Sequence, residues 1–99
     1  MDNKGFHVIK KDENGEDLVG FKLFFKNGYG ISVVFGDLAD CSDVTVKKSQ
    51  NIYHYQCKNA EVAVINSNGE IVPFAGEGTI KSKTIPDDIP QIISWAMKK

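Results

Sequence analysis

Ninety-nine residues, 41% of them hydrophobic and 25% charged, have the make-up of one ordinary globular domain, residues 1–99. A net charge of −1 argues against bulk attraction to nucleic acid or to an anionic membrane. No apolar run approaches the ~20 residues of a membrane-spanning helix, and the polar start MDNKGFHVIKKDENGED carries no signal-peptide hydrophobic stretch. The expected location is therefore the cytoplasm, where Cys41 and Cys57 read as free thiols rather than a structural disulfide.

In chain order, FHVIK at residues 6–10 is a short strand leading to a charged turn at Asn14-Gly15. Residues 21–36, FKLFFKNGYGISVVFG, form the centre of the pattern: two apolar, β-branched and aromatic runs flank Asn27-Gly28. Asn-Gly between such runs is the strongest short-range hairpin signal, because both residues tolerate the positive φ of a type I′ turn. A two-residue loop there sets Phe24 opposite Ile31 and Lys22 opposite Val33. One face then carries Phe24, Ile31, Val33 and Phe35, and the other carries Phe21, Leu23, Phe25 and Val34. Apolar residues on both faces predict a hairpin covered above and below, in the middle of a sheet.

Residues 37–50, DLADCSDVTVKKSQ, break the pattern and read as a long loop in which Val44-Thr45-Val46 alone resembles a strand fragment, the first place to look for a site. IYHYQC at residues 52–57 alternates as a strand does. EVAVI and EIVPF flank another Asn-Gly pair at Asn68-Gly69, and Pro73 confines the second arm to a sheet edge. TIKSKT at residues 79–84 reads as an extra edge strand or a linker. The one helix is residues 87–98, with Asp87 as its cap and Ile89, Ile92, Ile93 and Ala96 forming a stripe at i, i+3, i+4 and i+7. A helix of about ten residues is marginal alone and must dock on the sheet. The fold class is α+β: an antiparallel meander of about five to six strands with a C-terminal helix packed on one face.

Candidate chemistry is sparse. Asp37, Asp40 and Asp43 are carboxylates able to hold a hard cation, but their spacing of three is not the alternate-residue pattern of a calcium loop, and solvated turn-capping explains them. His54, Cys57, Cys41 and His7 are soft or imidazole ligands without the closely spaced Cys pairs of a zinc site. Tyr29, Tyr53, Tyr55 and Trp95, with Lys47, Lys48, Lys81 and Lys83, suggest a stacking surface for single-stranded nucleic acid. Balanced charge and the absence of an RNP-type motif favour core or protein-interface roles for these aromatics. The Gly-rich stretches lead into no helix and lack a phosphate-loop Lys-Ser/Thr. With no nucleophile-elbow or Ser-His-Asp set and no cofactor motif, the chain reads as a binding protein, not an enzyme, with no cofactor or metal.

Three stretches in matching order resemble a group of small, uncharacterised bacteriophage and prophage proteins. They are NGYGISVVFG at residues 27–36, NAEVAVI at residues 59–65 with its Asn68-Gly69 turn, and IPDDI through ISWA at the C-terminal end. The resemblance implies a phage accessory protein in the host cytoplasm, binding a host protein and acting as an inhibitor of a host or antiviral-defence component. It carries over no catalytic residues. The charged N-terminal strand and the lysine-rich loop depart from that pattern. The expected contact surface is a strand edge, or the 37–50 loop with Asp37, Asp40, Asp43, Tyr53, Tyr55 and Trp95, taking a host protein or a second copy of the chain. The competing expectations are a small-ligand or metal module built on the acidic loop with His54 and Cys57, and a single-stranded nucleic-acid binder.

Overall fold

The computed structural model describes residues 5–14, 16–39, 41–74 and 78–99. The order is β1 (Gly5–Glu13), β2 (Glu16–Phe24), β3 (Gly30–Phe35), β4 (Thr45–Ser49), β5 (Ile52–Gln56), β6 (Ala60–Ile65), β7 (Ile71–Val72) and β8 (Lys81–Thr84). A 3-10 turn at Pro86–Asp88 then leads into α1 (Ile89–Met97). The class is α+β, an antiparallel sheet with one C-terminal helix. Six strands form the main sheet in the order β1-β2-β3-β6-β7, with β8 also on β6; β4 and β5 make a separate two-stranded arm between β3 and β6.

The central hairpin forms around Asn27-Gly28, but its register differs from expectation by one residue. Phe25 N–H donates to Tyr29 O (2.7 Å) and Gly28 N–H to Phe25 O (2.9 Å), and Gly28 alone in this turn is left-handed (φ +89°). This is a type I turn closed by a glycine bulge, a three-residue loop. Leu23 therefore faces Ile31, and Phe21 faces Val33. A one-residue slip moves a whole side-chain set to the other face, so Val19, Phe21, Leu23, Ile31, Val33 and Phe35 share one side. The opposite side carries Gly20, Lys22, Phe24, Gly30, Ser32 and Val34, a mixed set. On that side His7 packs edge-on against Phe24 (5.2 Å between ring centres), and further across the sheet Ala63 and Ile65 of β6 are buried. Gly20 is held by close approach, since a Cβ there would run into the Val33 carbonyl oxygen.

The apolar face receives the helix. Ile31, Val33, Val62 and Val64 from the sheet meet Phe74, Ile92 and Ala96 in one buried cluster, with Ile89, Ile93 and Trp95 packed around it. The expected stripe thus faces the sheet. The helix starts later than expected, at Ile89. Asp87 lies in the 3-10 turn, and Asp88, at the N-cap position, makes no side-chain cap bond. The tighter turn instead directs Asp88 N–H to Ile85 O (3.0 Å). At the other end, Asn27 donates from Nδ2 to Ala96 O (2.9 Å) and accepts Tyr29 N–H (3.0 Å). The hairpin asparagine therefore holds the last turn of the helix rather than supplying positive φ.

The 37–50 segment is not all loop. Thr45–Ser49 pairs with Ile52–Gln56 across a two-residue turn in which Gln50 (φ +50°) and Asn51 (φ +67°) are both left-handed. Glycine, the usual marker of that turn, is absent, which hid the strand from pattern reading.

Candidate functional site: an apolar cleft running to an open sheet edge

Two rows of directly opposed residues cross the apolar face from edge to core. In one, Val8, Phe21, Val33 and Val62 are 88%, 37%, 6% and 0% exposed. In the other, Phe6 is 90% exposed, while Ile31 and Val64, beyond Leu23, are fully buried. The helix covers β3 and β6; on the same face Val19 and Leu23 of β2 are buried or packed against the core, while Phe6 and Val8 of β1 and part of Phe21 of β2 remain in water. Phe6 and Val8 sit on β1, which ends the sheet order with β2 as its one paired strand among the described residues; an edge of this kind is a natural surface for pairing with a further strand.

The rows run into a cleft of about 330 Å³ between the sheet, the start of α1 and the β4–β5 arm. Phe21, Val33 and Phe35 form its floor; Tyr55 and Cys57 line the arm side, and Thr84, Pro86 and Ile89 the other. The arm is pinned over the far end of β1 and β2. The Tyr53 ring takes Lys10 Nζ and Lys48 Nζ, each 5.3 Å from its centre, and stacks on Tyr55 (6.4 Å between centres). Partial burial, then the Asp17 carboxylate beside its hydroxyl, pushes the Tyr55 pKa above the ordinary phenol value.

The expected site residues do not converge. Asp37 is exposed just after β3, and Asp40 lies outside the described residues. Asp43 is exposed and left-handed (φ +58°), with Lys58 Nζ 4.0 Å from its carboxylate. Both of those side chains are more than 70% exposed, so the pair adds little stability. Among the described residues, no three His, Cys, Asp or Glu side chains are grouped to hold a metal. Tyr53 and Tyr55 do meet on the arm, and of the two Tyr55 lines the cleft. Trp95 is elsewhere, near the end of α1, tilted against Phe74 (6.1 Å) beneath Lys99 Nζ (4.0 Å). His7 is on the opposite face of the sheet, and His54 is on the outer side of the arm, so neither approaches the thiols through the cleft.

The pattern of residues 6–10 predicts a strand, and the structure adds that its Phe6 and Val8 stand uncovered. Cys41 and Cys57 are brought together, Sγ to Sγ 3.3 Å, as free thiols. Burial and the hydrogen bond with Cys41 push the Cys57 thiol up to about 11. No helix is long and apolar enough to cross a membrane among the described residues. No family model, curated protein or solved structure matches the chain.

Proposed function

We propose that this chain works without catalysis, as a protein-binding module that captures an extended segment of its partner on β1. The observation that carries this reading is the exposure gradient across the sheet. Large apolar side chains at Phe6, Val8 and Phe21 stand in water on the same face, beside a strand edge and continuous with an apolar cleft. Strand addition would extend the sheet at β1, and alternate side chains of the added strand would lie beside Phe6 and Val8. Burying such residues contributes roughly 1.5–3 kcal/mol per large side chain. The other side of the sheet is made of two short strands on β6, β7 of two residues, stopping before Pro73, and β8 of four. The resemblance to phage accessory proteins supplies the class of partner, a host protein in the cytoplasm, and blockade of a host or defence component as the consequence of capture.

The test is capture from host lysate with the immobilised chain, against a Phe6→Lys/Val8→Lys variant, with native mass measured for both. The reading expects a partner retained by the wild type and lost by the variant, whose melting midpoint is unchanged because both sites are exposed. A partner held equally by both, or a wild-type monomer that retains nothing, overturns it. Self-association abolished by the two lysines would identify the partner as a second copy of the chain.

The cleft favours one second reading, an apolar small ligand. Its 330 Å³ is at the lower end of ligand sites, and its lining is mostly aromatic and aliphatic. A native-state ligand must raise the melting midpoint, so a screen of apolar compounds that leaves it flat removes that reading.

A further inference from the structure

We propose that Cys41 and Cys57 form a reversible dithiol–disulfide couple, a modification site whose oxidant is a low-molecular-weight disulfide such as oxidised glutathione. The two sulfurs sit 3.3 Å apart at the base of the β4–β5 arm, one on the chain entering the arm and one on the chain leaving it. Closing them to a bond of about 2.05 Å needs a shift of only about 1.3 Å.

The surrounding frame keeps both thiols in place. Cys41 Sγ accepts Gly36 N–H (3.3 Å) and donates to Gly36 O (3.2 Å), which fixes its side chain on the end of β3. The two chain segments are also laced together next to the sulfurs. Ser42 N–H donates to Asn59 Oδ1 (2.8 Å), Asn59 Nδ2 to Ser42 Oγ (3.3 Å) and Lys58 N–H to Ser42 O (2.9 Å). In an unfolded chain, thiols 16 residues apart meet at an effective concentration on the order of millimolar. Here the fold has already brought them into contact, which raises that value. Neither thiol is fully buried, so a small disulfide reaches the pair.

The chemistry is thiol–disulfide exchange in two steps. One protein thiolate attacks a sulfur of oxidised glutathione, forming a mixed disulfide and expelling one glutathione thiolate. The second protein thiolate attacks the protein sulfur of that mixed disulfide and expels the other. Two protein thiols lose two electrons and two protons, and one oxidised glutathione becomes two reduced molecules. The bridge encloses the whole arm and ties the cleft wall carrying Tyr55 and Cys57 to β3. Because burial and the neighbouring thiol hold the Cys57 proton up to about 11, the reaction accelerates as pH rises above neutrality.

The experiment equilibrates the full chain in glutathione buffers of graded redox ratio, native and in urea, then alkylates it and reads intact mass and non-reducing peptide maps. The native chain is expected to lose two hydrogens and yield a Cys41–Cys57 cross-linked peptide as a monomer. It should do so at an oxidised-to-reduced ratio at least about tenfold below that needed in urea. Cys41→Ser and Cys57→Ser variants should each stop at a glutathione adduct on the remaining thiol. Native oxidation no easier than in urea, a persistent adduct on the wild type, or bridging between chains overturns the proposal.

Discussion

Ile92→Ala measures how far the sheet depends on its one helix. Ile92 is 6% exposed and packs into the cluster of Ile31, Val33, Val62, Val64 and Phe74. The substitution removes three carbons; at ~0.8 kcal/mol each, the transfer loss is about 2.4 kcal/mol. The void adds a further cost, because two strands paired on both sides cannot move in to fill it, and the total is about 3 kcal/mol. A domain of this size holds roughly 5–15 kcal/mol in all, so the variant folds but loses a large fraction of its margin. Urea unfolding followed by tryptophan fluorescence is suited to the measurement, since Trp95 lies on the same helix against Phe74. The midpoint should fall by roughly 1–3 M with an unchanged slope, and the thermal midpoint by roughly 10–20 °C. Met97→Ala, at a position 57% exposed on the same helix, serves as control and should stay within about 0.5 kcal/mol of wild type. Equal midpoints for Ile92→Ala and Met97→Ala would mean that α1 does not seal the core.

Asn27→Ala removes the amide that donates to Ala96 O at the end of α1 and should cost about 1 kcal/mol. Asn27→Asp keeps the acceptor for Tyr29 N–H but sets a negative charge against the helix carbonyls, so it should destabilise at least as much; wild-type melting in both variants refutes the capping role. Raising pH should weaken the fold. The folded chain holds the Cys57 proton to about 11 against an ordinary value of 9.0, so that contribution is complete below pH 9 and is lost as pH climbs through 11. The raised Tyr55 pKa acts in the same direction. Melting curves across that range should fall more steeply for wild type than for Cys57→Ser, and parallel curves contradict the assignment.

Local patterns determined much of this protein without any tertiary information. The stripe of Ile89, Ile92, Ile93 and Ala96 marks a helix that must dock, because a helix so short gains little by itself. Alternating β-branched runs with Asn-Gly between them mark hairpins and, with the helix, the α+β class. Turn geometry lies one level higher. Asn27-Gly28 is compatible with a two-residue or a three-residue loop, and the choice is coupled to a contact 69 residues away, where the Asn27 amide meets the end of α1. That choice sets the register, and the register sets which face is apolar and where the apolar rows run out from under the helix. The arm hid for a related reason: its turn, Gln50-Asn51 with both residues left-handed, lacks the glycine that usually marks such a turn. The β1 edge, the cleft and the meeting of Cys41 with Cys57 belong to tertiary structure alone. Each depends on how far one element reaches over another, and residue types along the chain do not encode that distance.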